Sequence, residues 1–185
     1  MAYKLTDKEK EAHIMMKKLL KKPKTLKASD FKPGNMILYT YRPKYKENPY
    51  DMSPMCMVLS RSRKYTLGLN MNWCPPKLRK GLMDYIMRKN KTNIRKGLPL
   101  ELSYDMVKTV IKGLGPIVRL YINRRISPKG VVVPQNQYYK IIDLRAENFI
   151  GISAEKAWNL AVKEHIRKKK NRKSKGNRKG KKGKR

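Results

Sequence analysis

Pro33-Gly34-Asn35-Met36-Ile37-Leu38-Tyr39-Thr40-Tyr41-Arg42-Pro43-Lys44 opens the stretch that decides the fold. Asn48-Pro49-Tyr50-Asp51-Met52-Ser53-Pro54 follows, and then Met55-Cys56-Met57-Val58-Leu59-Ser60-Arg61-Ser62-Arg63-Lys64-Tyr65-Thr66-Leu67-Gly68-Leu69-Asn70-Met71-Asn72-Trp73. Three runs suited to strands lie between turn residues. Pro33-Gly34 is a turn signal. Residues 36–42 alternate, with Tyr39 and Tyr41 on one face and Leu38 on the other. The proline-rich segment 43–54 is an ordered loop. Residues 55–59 read as a buried strand, Arg61-Ser62-Arg63-Lys64 as a hairpin tip, and 65–73 as a third strand. Gly68 within that strand marks a bulge or a close backbone approach. The expected result is an α+β fold, in which a small antiparallel sheet or partial barrel from residues 35–73 packs with three or four helices.

Working outward, Pro75-Pro76 starts a helix. Its apolar stripe is Leu78, Leu82, Tyr85 and Ile86, and Lys77, Arg79, Lys80, Arg88 and Lys89 decorate the rest. A basic connector spans 90–99. Ser103 caps the next helix, with Val107, Val110, Ile111 and Leu114 on one face. Gly113-Leu114-Gly115-Pro116 interrupts it. This segment is similar to a helix-hairpin-helix phosphate loop, but a plain kink is the simpler reading. A further helical run is expected over 117–126, a turn over Ser127-Pro128-Lys129-Gly130, and strands over 131–133 and 138–144. Pro134 makes the first of these strands an edge or an extended connection. Ser153 caps a last helix, with Ala157, Leu160 and Ala161 facing inward, joined by Trp158 as a further candidate.

Before the sheet, Thr6 and Glu9 form a capping box. Ala12, Met15, Met16 and Leu19 make an apolar stripe that ends at Pro23. Three regions follow: a basic helix and linker over 1–30, the α+β domain over 31–166, and a tail over 167–185.

The chain carries 47 Lys and Arg against 13 Asp and Glu, a net charge of +34 over 185 residues. The tail is built only from Lys, Arg, Asn, Ser and Gly. It cannot bury apolar surface and is expected to be disordered in isolation. The remainder is still strongly basic. So much like charge calls for a polyanionic partner, with nucleic acid the first choice and an anionic membrane a weaker one. The expected phosphate contacts are Arg61, Arg63 and Lys64 of the tip. From the tail they are Arg167, Lys168, Lys169, Lys170, Arg172, Lys173, Lys175, Arg178, Lys179, Lys181, Lys182, Lys184 and Arg185. The tail has no aromatic residue, so it cannot stack on bases. Tyr39, Tyr41, Tyr45, Tyr65 and Tyr121 lie near basic residues, but packing is the favoured reading over base stacking.

Cys56 and Cys74 lack zinc spacing and are expected as half-buried thiols on neighbouring strands. No secretory segment and no apolar run of membrane length is visible, so a cytosolic location is expected. Asp51, Asp84, Asp105 and Asp143 are isolated carboxylates with no pattern that forces a metal site. No nucleophile–His–acid set and no phosphate loop occurs. The sequence therefore leans away from an enzyme, and no cofactor or metal is expected.

The central stretch resembles a poorly characterised family of small tailed-bacteriophage proteins that are virion- or DNA-associated, some of them DNA-end-protector-like. The resemblance rests on Pro33-Gly34, Tyr39-Thr40-Tyr41, Pro43-Lys44, Pro49-Tyr50-Asp51, Pro54, Gly68-Leu69-Asn70, Trp73, Pro75-Pro76 and Arg79. It extends over about residues 31–162 and leaves out the Lys-rich tail. It implies phage DNA as the partner, other virion proteins as further partners, and the host cytoplasm or the virion as the location. It supplies no catalytic residue. The expected function is sequence-nonspecific binding of nucleic acid, DNA before RNA, through phosphates. The alternatives are a virion structural component of head, neck or baseplate, a ribosome-associated RNA-binding protein and, last, a metal-dependent nuclease.

Overall fold

A computed structural model of the chain describes residues 21–44, 49–111 and 117–160, together with Asp7, Lys10, Ile14 and Lys18. The last four are helical. The capping box at Thr6 and Glu9, the stripe from Ala12 to Leu19, Tyr45, the Gly113–Pro116 segment and the tail lie outside the described residues.

The strands are β1 (Lys24–Thr25), β2 (Met36–Tyr41), β3 (Tyr50–Asp51), β4 (Met55–Arg61), β5 (Tyr65–Asn70), β6 (Val118–Ile122), β7 (Ile126–Val133) and β8 (Phe149–Ile150). The helices are α1 (Pro76–Lys89), α2 (Lys91–Arg95), α3 (Tyr104–Val107), α4 (Tyr138–Ile141) and α5 (154–160). The fold is α+β. Six strands form one antiparallel sheet in the order β1-β7-β2-β4-β5-β6, and β3 pairs with β8 separately. The sheet is thus twice the size expected from residues 35–73 alone.

The sheet curls strongly. β6 ends the sheet on one side, yet only the short 3-10 turn Asn123–Arg125 separates it from β7, which pairs with β2. Tyr121 of β6 meets Tyr39 and Tyr41 of β2 edge to face, at 5.5 and 4.9 Å between ring centroids. Two strands lie between β6 and β2 in the sheet order, so these rings fill a concave side. Ile37, Cys56, Val58 and Phe31 complete that inner cluster. Gly68 sits here because a Cβ would collide with the Cys56 sulfur.

The opposite face carries Met36, Leu38, Met55, Met57, Leu59 and Leu69 under Leu82, Met83 and Ile86 of α1 and Tyr138 and Ile141 of α4. A strand buried on both faces reads as a continuous apolar run. That is why Met55–Leu59 shows no polar alternation.

Several expectations change. Residues 118–122 form a strand, not a helix, because the edge of β5 is open and pairs from Tyr65↔Ile122 to Leu69↔Val118. Ser127–Gly130 lies inside β7 and is no turn. Pro128 is tolerated there because it supplies only its carbonyl, to the Leu26 N–H at 2.7 Å. Residues 138–141 are helical, not extended, since Tyr138, Ile141 and Ile142 bury one face at helical spacing. The Tyr138 hydroxyl then donates to Gly34 O at 3.1 Å and accepts from Met36 N at 3.0 Å. The third strand stops at Asn70, whose side chain caps a 3-10 turn over Met71–Trp73. Both thiols are fully buried, and Cys74 precedes α1 instead of lying on a strand.

Other features hold. Pro76 opens α1, although Met83 replaces the exposed Leu78 in its buried stripe. Ser103 Oγ accepts from Met106 N at 3.2 Å, and Ser153 Oγ from Lys156 N at 3.3 Å. Although β7 lies between β1 and β2, its segment Val131–Val133 pairs among the described residues with β2 alone, so the edge expected from Pro134 is confined to that segment.

Candidate nucleic-acid interface

The β4–β5 hairpin tip is pinned from below. Ser62 Oγ accepts from Tyr65 N at 3.1 Å. The Asn123 amide donates to Ser62 O at 2.9 Å and to Arg63 O at 3.2 Å, and its oxygen accepts from Thr66 Oγ1 at 2.7 Å. Asn123 N also donates to Lys64 O at 3.0 Å. The β6–β7 turn therefore holds the tip and brings Arg124 beside Arg63 and Lys64 along one groove. All three side chains are exposed. Arg61 behaves differently. Its guanidinium lies over the Phe31 ring at 4.2 Å, and one terminal nitrogen is buried with no acceptor among the described residues. Burial lowers its pKa from the ordinary value, with Tyr39 acting in the opposite direction.

A second recess adjoins the first and shares Lys44, Tyr65 and Ile122 with it. It has a volume of about 330 Å³, and Tyr41, Tyr50, Asp51, Asn70, Trp73 and Arg119 line it. The Arg119 guanidinium stacks on Trp73, 3.8 Å from the ring centroid. Phe149 of β8 braces the same indole edge to face at 4.8 Å. Arg119 Nε is buried and has no hydrogen-bond partner among the described residues. Burial lowers its pKa, against the opposing influence of Tyr121 and Asp51.

Asp51 does not neutralise this arginine by contact, because its oxygens are committed elsewhere. Oδ2 accepts from the Asn70 and Asn72 side-chain amides at 3.0 and 2.7 Å. Oδ1 accepts from Ser53 N and Asn148 N at 3.0 and 3.2 Å. Asp51 thus ties β3, β5 and the approach to β8 together as scaffold. The other carboxylates are dispersed: Asp84 accepts from the Tyr139 hydroxyl at 2.9 Å, Asp105 pairs with Lys108 at 2.7 Å, and Asp143 lies in the turn after α4. Among the described residues no three His, Cys, Asp or Glu side chains gather as a metal site.

A different charge centre lies under α1. Arg79 is fully buried, not a surface decoration. Nε donates to Cys74 O at 2.9 Å, Nη1 to Leu144 O at 2.8 Å and Ile142 O at 3.3 Å, and Nη2 reaches Glu147 at 3.4 Å. Arg145 shares Glu147 at 3.0 Å and lies over Trp158, whose indole N–H donates to Asn72 O at 2.8 Å. Trp158 thereby docks α5 on the body.

Of the tyrosines expected near basic residues, Tyr39, Tyr41 and Tyr121 are core. Tyr65 is 43% exposed and lines both recesses. Arg119 and Arg124 were hidden by the helical reading of 117–126. The signal that finds Arg119 is the strand alternation of Val118-Arg119-Leu120-Tyr121-Ile122, which puts Arg119 and Tyr121 on one face. The described residues contain no helix long and apolar enough to cross a membrane. Comparison with protein-family models, with curated proteins and with solved structures returns no match.

Proposed function

We propose that this chain binds nucleic acid without sequence specificity, through phosphate contacts, with phage DNA in or near the virion as the favoured polyanion. The observation that carries the reading is a rigid cationic ridge. Arg63, Lys64 and Arg124 are held together by Asn123, and none of them is in an ion pair among the described residues. The ridge belongs to a chain of net charge +34. A fixed set of unneutralised cations attracts a phosphate backbone and reads no bases. The Lys/Arg tail would add contacts of the same kind.

A salt titration tests this. Log affinity for duplex DNA should fall linearly and steeply with log salt, by about 0.9 per phosphate neutralised. Removing residues 167–185 should flatten the slope. Charge reversal at Arg63 and Lys64 should weaken binding by the same factor on unrelated sequences. A slope that the deletion leaves unchanged would remove the tail from the interface. Strong discrimination between sequences would overturn the nonspecific reading.

A further inference from the structure

Arg119 is a cation held partly out of water, with no ion pair among the described residues and the Asp51 charge acting on it only through space. Its Nε has no acceptor, Asp51 is saturated by four other donors, and no ion pair reaches the guanidinium among the described residues. Withdrawing a charge from water without pairing it is costly unless a partner arrives. Trp73 holds the guanidinium plane in place, and Phe149 holds Trp73. The recess in front is open and continues past the exposed Tyr65 to Arg63, Lys64 and Arg124. Tyr65 pairs with Ile122, three residues along β6 from Arg119 and on the other face of that strand. β6 ends the sheet, and the recess that both residues line passes round its edge. The separation along the strand is about 10 Å, a span that a short piece of nucleic-acid backbone bridges.

We infer that this recess is a site for an unpaired nucleic-acid strand, with one phosphate on the Arg119 guanidinium and a base against Tyr65. The inference deepens the nucleic-acid reading and rests on it. A planar guanidinium forks onto phosphate oxygens, and an exposed aromatic beside a cationic track is how single strands are held without sequence preference. A duplex can lie on the exposed ridge, but its stacked bases cannot turn toward Tyr65, and its width keeps its phosphates from the half-buried Arg119. An acidic peptide could supply a carboxylate to Arg119. It would leave the aromatic face and the succession of cations unexplained.

The test uses the full chain, a dye-labelled oligo-dT and a duplex of equal length, followed by anisotropy. Arg119→Gln should lower single-strand affinity about tenfold or more and reduce its salt slope by about 0.7, one phosphate. Duplex affinity should stay within about twofold. Tyr65→Ala, at an exposed position, should cost the single strand about fivefold or more and the duplex little. Crosslinking of an iodouracil-substituted single strand to the unmutated chain, mapped by mass spectrometry, should mark the peptides holding Tyr65 and Trp73. This readout does not depend on any variant folding. Equal losses on both DNA forms, no loss on either, or crosslinks confined to the ridge and tail would overturn the single-strand site while leaving nonspecific binding standing. A poly-glutamate peptide that binds in an Arg119-dependent way, with the oligonucleotide indifferent to that residue, would overturn it in favour of a protein partner. Failure of the unmutated chain to bind either DNA form would overturn both readings.

Discussion

Arg79 and Arg119 are both arginines drawn out of water beside a tryptophan, and they differ in what surrounds them. Arg79 is enclosed under α1, where three backbone carbonyls and Glu147 accept from it. Those carbonyls belong to Cys74 at the start of α1 and to Ile142 and Leu144 after α4, so one side chain joins two parts of the chain far apart in sequence. Burial lowers its pKa, while the Glu147 carboxylate opposes that change. Arg119 has a stacking partner but, among the described residues, no acceptor at Nε. The contrast separates an arginine spent on holding the fold from one left available. A buried charge with all its hydrogen bonds made is a structural joint. A desolvated one without them points to an external anion.

Truncating the saturated arginine should have the largest effect. Arg79→Ala leaves three carbonyls without their donor in a closed space and leaves the almost fully buried Glu147 with Arg145 alone. A buried acceptor left unsatisfied costs about 1–3 kcal/mol, so losing the donor to three of them takes a large share of the roughly 5–15 kcal/mol that keeps a domain folded. Urea unfolding followed by circular dichroism should show a midpoint shift of that size. Arg79→Lys should recover little, because one ammonium cannot reach Cys74 O, Leu144 O and Glu147 together. A midpoint close to that of the unmutated chain would break the distinction between the two sites.

The sequence made the two arginines hard to tell apart, and the reason is physical. The central hairpin was legible because its signals are local: Pro33-Gly34, the alternation of Met36–Tyr41, and a short basic tip between two apolar runs. The α+β class followed from them, and the cap roles of Ser103 and Ser153 rested on equally local signals, a serine just before an apolar helical pattern. Arg79 read as surface because charged residues surround it on α1, and only the distant Ile142, Leu144 and Glu147 make its position tolerable. Residues 118–122 read as helical because their strand character depends on the edge of β5, some fifty positions earlier. Arg119 and Trp73 meet only after that pairing forms. The cationic tip was visible in advance, whereas the recess beside it belongs to long-range pairing and could not be seen. Gly68 lies between these cases. Its lack of a side chain suggested a close approach, but Cys56 as the neighbour became evident only in the fold.

A smaller effect, in a different direction, is expected at the unsatisfied arginine. Arg119→Gln removes a desolvated charge that has no ion-pair partner, which relieves a cost, and gives up the contact with Trp73, which at a partly exposed site is about 0.5–2 kcal/mol. These contributions oppose each other. The urea midpoint should therefore correspond to a stability within about 1 kcal/mol of the unmutated chain, while single-strand affinity falls. A loss as large as that at Arg79 would show that Arg119 is also a structural joint, and the case for an external anion would go with it.

The smallest signal is expected from the buried thiols, and it sharpens the comparison without measuring stability. Burial pushes Cys74 up to about 12, although the nearby Arg79 charge works against this, and pushes Cys56 up to about 12 against the opposing influence of the neighbouring Tyr39 hydroxyl. At pH 8 about one thiol in ten thousand is then ionised, and the thiolate is the reactive form. Neither cysteine should react with an aromatic disulfide reagent in the native state, and both should react in denaturant. Arg79→Ala should release Cys74, because the carbonyl that Arg79 holds is that of Cys74 itself. Arg119→Gln should release neither. Rapid labelling of Cys74 in the unmutated chain would mean that the start of α1 opens readily. The cage around Arg79 would then be no tighter than the recess around Arg119, and the difference drawn between them would have to rest on hydrogen bonds alone.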